Sequence, residues 1–241
     1  KTGHGLLRRL LIRGSYAERS MMLTVVINGD DLPFADELMA AWQAILQDSE
    51  WTISSVYLNR HKKRNNRVAG KDWSLLWGDA KLRETLAGLS FDLQPASFFQ
   101  VNPVMADRLF RRVGEIAQEL SPKEIWDLYC GIGTLGLVAL SQVEDAHLTG
   151  IEIVPQAVQD AQENAKINSL NNAEFITGAA EDHITADMKK ADLAIVDPPR
   201  KGCDSQLISA IVEAKIPNLI YVSCHPATLA RDLAKLKESY T

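Results

Sequence analysis

Apolar and polar positions follow two different patterns along the chain, and the change falls near residue 95. Before it, the stretches LLRRLLIRGS, SMMLTVVING and WTISSVYLNR have the composition of β-strands, whereas PFADELMAAWQAILQD has helical spacing and begins with Pro33. Several strands with one intervening helix are typical of a small α+β domain. We therefore predict an α+β domain over residues 1–94.

Beyond residue 95, strand-like and helix-like stretches alternate. An amphipathic helix is predicted from Pro103 to Leu120. The apolar stretches EIWDLYC, HLTGIEI, ADLAIVDPP and NLIYVSC then alternate with helical ones such as PQAVQDAQENAKIN and PATLARDLAKL. This order is typical of βαβ units, whose strands form a parallel sheet with helices on its faces. The sequence thus predicts a doubly wound α/β domain over residues 95–241.

The composition is that of a soluble globular protein, with 46% hydrophobic and 24% charged residues and a formal net charge of -5. Apolar runs stay shorter than the roughly 18 to 20 residues of a membrane span, and the first residues lack the order of a signal peptide. We therefore expect a cytoplasmic protein without a membrane partner. The cysteines Cys130, Cys203 and Cys224 form no Cys-x-x-Cys pair, which predicts reduced thiols and no metal site.

A basic stripe, LNRHKKRNNR, interrupts this acidic balance. Its cations are Arg60, Lys62, Lys63, Arg64 and Arg67. An acidic protein does not coat nucleic acid through its bulk charge, but one local stripe can hold an RNA segment. A solvated loop between two strands explains the stripe equally well, so both interpretations stay open.

Candidate chemistry gathers at the predicted carboxyl ends of the strands, where doubly wound sheets bind their ligands. The stretch DLYCGIGTLG supplies Asp127 and a glycine loop that lets a ligand approach the backbone. Glu152 ends the next strand about 20 residues later, a position from which a carboxylate can hold both hydroxyls of a ribose. Up to this point a dinucleotide and S-adenosylmethionine fit the pattern equally well.

Asp197, in VDPPR, is a third acid at a strand end and favours S-adenosylmethionine. The glycine loop is not a full Gly-x-Gly-x-x-Gly, and an acidic strand end suits an ammonium and a sulfonium better than a pyrophosphate. The two prolines after Asp197 form a rigid corner that can present this carboxylate to a flat substrate. A plain strand-terminating turn is the alternative interpretation of this corner.

These motifs resemble, in their order, the RNA uracil-C5 methyltransferases, which form 5-methyluridine in bacterial 23S rRNA or in tRNA. The resemblance rests on FFQVNP, DLYCGIGTLGL, GIEIVPQAVQDAQENA, DPPRKG and SCHPATLARDL, and it extends from about residue 90 to about residue 235. DPPRKG followed by PATLARDL is most similar to the 23S rRNA enzymes. Residues 1–94 resemble the family's central, RNA-contacting domain only loosely.

The resemblance implies a Rossmann-like, S-adenosylmethionine-dependent methyltransferase domain and assigns roles to particular residues. The cofactor-binding residues would be Gln100, Tyr129, Glu152 and Asp197. Gln100 would also lie near the target uracil, although a capping or turn residue just ahead of the helix is the alternative. Tyr129 has the alternative of a half-buried strand aromatic, and Glu152 that of a surface acid at a strand end.

Cys224 would be the catalytic nucleophile, because a thiolate that adds to C6 of uracil activates C5 for methyl transfer. Pro226 predicts that a helix begins close to Cys224, and the free N–H groups of its first turn favour the thiolate. The alternative is a small buried cysteine. Cys130 and Cys203 are interpreted as structural residues, in the glycine loop and in a surface turn.

Two features depart from the family pattern. His225 stands where family members usually have asparagine, and it could donate a similar hydrogen bond or titrate and help to deprotonate Cys224. The general base that removes the C5 proton is a glutamate downstream of the cysteine in the family, and it would lie beyond Thr241. We therefore expect these 241 residues to be part of a longer protein.

Three alternative functions stay open. An RNA cytosine-C5 methyltransferase uses the same covalent chemistry. An amino-group methyltransferase acting on adenine or guanine would explain the Asp-Pro-Pro corner without any cysteine. A module that binds cofactor and RNA without catalysis would need neither feature.

Overall fold

A computed structural model describes residues 5–63, 65–183 and 190–240. The chain divides into two compact units. One consists of Lys1–Thr85 and Asp92–Ser97, and the other of Leu86–Phe91 and Phe98–Thr241.

The first unit contains a four-stranded sheet and a helix. Its elements are β1 (Leu7–Ser15), β2 (Ser20–Ile27), α1 (Ala35–Leu46), β3 (Thr52–Arg60) and β4 (Asp72–Gly78). The strand order is β1-β2-β3-β4, in which β2 and β3 are parallel and the outer pairs are antiparallel. Leu23 of β2 and Val56 of β3 pack with Met39 of α1, so the helix covers apolar residues of the sheet. The predicted α+β character of this region is confirmed.

The start of α1 differs from the prediction. The helix begins at Ala35 rather than at Pro33, because Phe34 takes a left-handed conformation with φ 59° and forms the N-cap. Proline therefore precedes the cap instead of occupying the first helical turn.

Three strands between residues 72 and 93 were not predicted. Besides β4, they are β5 (Leu82–Leu86) and β6 (Leu89–Leu93), which pair with each other. In β4 most positions are exposed, so its sequence shows no inward-outward alternation. In β5 a charged residue, Glu84, occupies a buried position and accepts a hydrogen bond from Ser15 Oγ at 3.1 Å. Binary patterning alone does not identify such strands.

The second unit contains a parallel sheet with helices. Its further elements are α2 (Pro103–Leu120), β7 (Glu124–Leu128), α3 (Thr134–Ser141), β8 (His147–Glu152), α4 (Pro155–Ile167), β9 (Ala173–Thr177), β10 (Leu193–Val196), α5 (Ser205–Ala214), β11 (Asn218–Tyr221) and α6 (Pro226–Leu236). The strand order is β11-β10-β7-β8-β9, and every neighbouring pair is parallel. This is the predicted doubly wound sheet, and α2 has the predicted bounds.

The order of the strands locates a crevice. Within the sheet, β8 and β9 lie on one side of the central strand β7, and β10 and β11 lie on its other side. In such sheets the ligand site lies at the carboxyl ends of the strands where this reversal occurs, here β7 and β10. All four residues of β10 are buried, and two of them, Ala194 and Val196, pack in one core cluster with Leu207 of α5 and Leu236 of α6.

A buried carboxylate fixes the packing of α3 against β7. Asp127 Oδ2 accepts a hydrogen bond from the Gly136 N–H at 2.8 Å. A Cβ at Gly136 would lie 2.8 Å from the same oxygen and 2.9 Å from Leu148 Cδ1. Only glycine therefore lets α3 approach β7 this closely.

The substitution Gly136→Ala should lower the free energy of unfolding by about 1 to 3 kcal/mol, although alanine raises helix propensity by about 1 kcal/mol. The expected loss arises because the new methyl group meets a buried carboxylate and a buried leucine. Urea unfolding followed by circular dichroism measures this change.

Gly114→Ala in α2 is the matched control. Its Cβ would meet Gln142 Cγ at 2.9 Å and Val138 Cγ1 at 3.3 Å. Gln142 is an exposed, flexible side chain that can rotate away, and the contact with Val138 requires only a small shift. We expect its stability to stay within about 1 kcal/mol of wild type. Equal losses in the two variants would contradict the proposed packing constraint.

Candidate functional site

Asp127 lies at the centre of the strand-end crevice with one oxygen unsatisfied. Its side chain is 1% exposed, and Oδ1 has no hydrogen-bond partner among the described residues. Burial raises the pKa of Asp127 to about 7; the Gly136 N–H opposes this shift, and the nearby charges of Asp197 and Glu152 add to it. A buried acceptor without a partner is a binding point for a donor on a ligand, most favourably a cationic one.

The loop after β7 is held against β8 and leaves open space beside its backbone. The N–H groups of Tyr129 and Cys130 both donate to the carbonyl of Ile151, at 3.0 Å each. Tyr129 and Gly131 have φ angles of 79° and 56°. A Cβ at Gly131 would meet no atom within 4 Å, so the loop leaves open space on that side. This space lets a ligand contact the loop.

Glu152, the last residue of β8, connects two loops. Its Oε2 accepts from the Gly131 N–H at 3.2 Å and its Oε1 from the Val154 N–H at 2.8 Å. Each carboxylate oxygen can accept a second hydrogen bond, so both remain able to accept from ligand hydroxyls. The side chain is half-buried.

Tyr129 and Asp197 lie on the two sides of the strand reversal. The ring of Tyr129 is half-buried against the core cluster that contains Leu207, and burial raises its pKa to about 12. Asp197 directly follows β10, and burial raises the pKa of its carboxyl to about 6. Burial thus raises the pKa of two carboxyls, Asp127 and Asp197, at this edge of the sheet.

Cys224 lies at the same edge, one strand further out. β11 runs parallel to β10, and the Val222 N–H continues the pairing by donating to the Val196 carbonyl at 2.8 Å. Asp197 and Cys224 therefore leave neighbouring strands in the same direction. Cys224 is exposed. The structure thus brings Asp127, Glu152, Asp197 and Cys224 to one edge.

Gln100 lies half-buried in the segment before α2. The N-cap of α2 is Asn102, whose Oδ1 accepts from the Met105 N–H at 3.1 Å. Gln100 is therefore not the capping residue of α2, whereas its interpretation as a turn residue is not contradicted. Its role near a ligand stays a prediction.

The other two cysteines are buried, at 5% exposure for Cys130 and 7% for Cys203. Burial raises the pKa of the Cys203 thiol to about 11 and that of Cys130 well above its usual range. The expectation that Cys203 lies in a surface turn is wrong, because its side chain packs in the core cluster beside α5. Neither thiol is poised to act as a nucleophile.

His225 is the N-cap of α6. Its Nδ1 accepts from the Thr228 N–H at 3.4 Å and lies 3.3 Å from Thr228 Oγ1. Asparagine is among the best capping residues, so an asparagine at this position could cap α6 in the same way. The hypothesis that His225 tunes Cys224 stays a prediction.

The basic stripe forms the loop between β3 and β4, and it is less positive than its sequence indicates. Arg60 donates to Asp72 Oδ1 at 3.2 Å and to Ser74 Oγ at 2.6 Å. Lys62 forms an ion pair with Asp30. These two cations are therefore partly neutralised.

Lys63 and Arg67 of the stripe are exposed, whereas Arg64 lies outside the described residues. The carbonyl of Lys63 accepts from Arg8 at 2.9 Å, and that of Arg67 accepts from Arg9 at 2.8 Å. Arg8 and Arg9 of β1 thus add two cations beside the loop. Sequence reasoning missed them because they lie more than 50 positions away along the chain.

Two further acids near the crevice escaped sequence reasoning. Glu181 lies in the 3₁₀ turn Ala180–His183 after β9, and its charge contributes to the raised pKa of Tyr129, behind burial. The position of Glu181 shortly after β9 was the sequence signal that could have identified it. Asp232 of α6 is completely buried, although its helical position gave no sign of this.

Among the described residues, no helix has the length and apolar character that a bilayer crossing requires. Within the same ranges, no group of three or more His, Cys, Asp or Glu side chains could hold a metal ion.

Replacing Asp127 by asparagine should remove a pH-dependent loss of stability. The wild-type carboxyl titrates near pH 7 in the folded state and near pH ~4 in the unfolded state. Between these values the folded protein binds more protons, so its free energy of unfolding falls as the pH rises. Asp127→Asn does not titrate, so its stability relative to wild type should increase by about 2 kcal/mol from pH ~5 to pH ~7.5.

Urea unfolding of both proteins at the two pH values measures this difference. The asparagine oxygen can still accept from the Gly136 N–H, so the packing of α3 should be retained. A stability difference that stays constant across this range would show that Asp127 is ionised throughout.

Comparison with known proteins agrees with this geometry. The family model for tRNA (uracil-5-)-methyltransferases matches residues 79–241. A protein described as an uncharacterised RNA methyltransferase of Caldanaerobacter subterraneus subsp. tengcongensis is 37% identical over 242 residues, which covers 99% of this chain. One from Listeria innocua is 36% identical over 243 residues, again covering 99% of this chain. The chain spans about half the length of these relatives, 52% in each case.

Solved structures give the same picture. A Pyrococcus abyssi tRNA (uracil-54, C5)-methyltransferase in complex with S-adenosyl-L-homocysteine aligns with a TM-score of 0.80 and 27% identity. The alignment covers 96% of this chain and 54% of that one. An S-adenosylmethionine-dependent methyltransferase from Agrobacterium tumefaciens shares the fold, with a TM-score of 0.59 and 15% identity over 99% of this chain and 79% of that one. The family model, which matches most of the chain, shows that this chain belongs to the tRNA (uracil-5-)-methyltransferase family.

Proposed function

We propose that the protein containing this chain transfers a methyl group from S-adenosylmethionine to C5 of a uridine in RNA. The observation that carries this proposal is the exposed Cys224, which leaves β11 beside Asp197 at the edge that also holds Asp127 and Glu152. Family membership and the likeness to the Pyrococcus abyssi enzyme support it.

The residues of the crevice fit S-adenosylmethionine. The unsatisfied Oδ1 of Asp127 can accept from a cationic amino group, which would also favour the ionised carboxylate. Glu152 can accept from ribose hydroxyls, and the open space at Gly131 leaves room for a ligand beside the loop. Tyr129 and Gln100 would complete the cofactor pocket. The cofactor supplies an electrophilic methyl group on a sulfonium.

Cys224 would carry the covalent chemistry. Its thiolate would form an S–C6 bond with uracil, and the C5=C6 electron pair would move onto C5 and O4. C5 would then bond the methyl carbon while the bond from that carbon to the sulfonium sulfur breaks and its electron pair stays on sulfur. A base then removes the C5 proton, the electron pair re-forms C5=C6, and the S–C6 bond breaks to return the thiolate. The N-terminus of α6, which begins two residues after Cys224, favours the negative sulfur. Asp197 would lie beside the methyl donor and the base.

The RNA substrate has two candidates. DPPRKG followed by PATLARDL favours 23S rRNA, and we retain this RNA as the proposed target. The family model and the Pyrococcus abyssi enzyme are both described by tRNA. Mapping 5-methyluridine in both RNAs, in cells with and without the gene, separates the two candidates.

The covalent step is tested with RNA that carries 5-fluorouridine, whose C5 fluorine cannot be removed as a proton. Full-length protein with S-adenosylmethionine should form a stable adduct, and Cys224→Ala should abolish it, because the S–C6 bond requires this sulfur. Denaturing gel electrophoresis and mass spectrometry measure the adduct.

Cys203→Ser is the matched control and should form the adduct at the wild-type level, because the thiol is buried and a hydroxyl can keep the side-chain hydrogen bond to Tyr221. An adduct on 5-fluorocytidine alone would indicate a cytosine enzyme. Methyl transfer that survives Cys224→Ala would indicate an amino-group enzyme. Cofactor binding without adduct or transfer would indicate a non-catalytic module.

The basic loop between β3 and β4 is proposed to bind RNA phosphates. The double charge reversal Lys62→Glu/Lys63→Glu should weaken RNA binding and reduce the slope of log affinity against log salt by about 1 to 2. Fluorescence anisotropy over a salt series measures both effects.

The double variant Lys215→Glu/Lys237→Glu, at exposed positions after α5 and α6, makes the same change in net charge and should alter the slope little. If the loop variant binds RNA with unchanged affinity and slope, the loop does not belong to the RNA interface.

A further inference from the structure

One face of α6 holds the segment that follows Asp197. Thr228 Oγ1 donates to the Arg200 carbonyl at 3.2 Å, and Arg231 Nη2 donates to the Lys201 carbonyl at 2.8 Å. Asp232 accepts from the N–H of Cys203 at 2.9 Å. Thr228, Arg231 and Asp232 are spaced i, i+3 and i+4, so they share one face of the helix. We call these three residues the α6 clamp.

Asp232 makes the most connections within the α6 clamp. It is 0% exposed. Its Oδ2 accepts from the Cys203 N–H and, at 2.7 Å, from the hydroxyl of Tyr221, and its Oδ1 accepts from Arg231 Nε at 2.8 Å. One carboxylate therefore joins the segment after β10, the last residue of β11 and α6 itself.

The backbone of residues 199–203 packs tightly against α6 near Asp232. Gly202 is buried with φ 83°, and a Cβ there would collide with Arg231 and Asp232. The Gly202 N–H also closes a turn onto the Pro199 carbonyl at 2.8 Å. The conformation of residues 199–203 is thus defined by hydrogen bonds from α6 side chains to their main-chain groups and by the lack of space for a side chain at Gly202.

The two groups of the proposed reaction stand at opposite ends of this arrangement. Asp197 lies two residues before the clamped segment, and Cys224 lies two residues before the first residue of α6. The α6 clamp therefore connects the segment that follows Asp197 to the helix that begins two residues after Cys224. Reacting groups must be held closely, since a misplacement of about 1 Å can lower a rate about 100-fold.

We propose that Asp232 is a positioning residue for the covalent step, an inference that rests on the proposed function. It acts through the segment after Asp197 and through the Cys224 turn, without contacting the substrate. A role in stability alone would affect the folded fraction, cofactor binding and reaction rate together.

Asp232→Asn in the full-length protein separates these roles. The substituted side chain keeps its size, but its amide group places a donor against the donors that surround Asp232. We expect the single-turnover rate of adduct formation with 5-fluorouridine RNA, at saturating RNA and cofactor, to fall about 10- to 100-fold. Cofactor affinity and the rate of Cys224 alkylation by iodoacetamide should stay within about twofold of wild type.

Two more variants keep the test decisive. Tyr221→Phe removes one donor to Asp232 and keeps the ring, so it should slow adduct formation about 3- to 10-fold even if Asp232→Asn folds poorly. Lys235→Ala is the control on α6, because Lys235 donates to Ser205 Oγ in α5, outside the clamped segment. Its rate should stay within about twofold of wild type.

Hydrogen exchange gives a direct readout of the contact itself. The amide of Cys203 should exchange faster in Asp232→Asn than in wild type, because it loses its charged acceptor. Unchanged adduct rates in both Asp232→Asn and Tyr221→Phe would overturn the inference. A rate that falls only in proportion to the unfolded fraction, or together with cofactor affinity, would also overturn it. If wild-type protein forms no adduct, the proposed function fails, and the inference fails with it.

Discussion

Parallel pairing of β10 with both β7 and β11 is the constraint on which the candidate site depends. Parallel strands end at the same edge of a sheet, so the residue that follows each strand arrives at a common crevice. Asp127, Asp197 and Cys224 come from three neighbouring strands that are far apart along the chain. A slip of one residue in any of these pairings would turn the side chains to the other face of the sheet.

The crevice concentrates acids where water is scarce, and this has an energetic cost. Burial raises the pKa of Asp127 to about 7 and that of Asp197 to about 6, so each is destabilising when ionised and unpaired. A cationic ligand would offset this cost. Local instability of this kind is common at functional sites, where the arrangement favours ligand binding over the stability of the free protein.

The sequence predicted those parts of the fold that depend on local signals. The bounds of α2 and α6 follow from a proline in the first turn and a regular apolar stripe, and the strand-end acids follow from the βαβ alternation. The strands between residues 72 and 93 were missed because β4 is exposed and β5 buries Glu84. Whether such segments form strands depends on tertiary contacts, which the local sequence pattern does not show.

Contacts between distant positions were also beyond sequence reasoning. The partner of Lys62 is Asp30, and the burial of Asp232 depends on Tyr221 and the N–H of Cys203. Helical spacing places Asp232 on α6 but does not reveal what faces it. The candidate site was therefore predictable as a set of residues, whereas the contacts that hold it were not.

Two of the three α6 clamp contacts end on main-chain carbonyls, those of Arg200 and Lys201, whose own side chains are exposed. The backbone conformation of this segment therefore does not depend on the side chains of Arg200 and Lys201, which face solvent. Evolution or directed mutagenesis could exchange the outward side chains at both positions while the backbone scaffold persists. In this way one architecture could be adapted to different nucleic-acid surroundings.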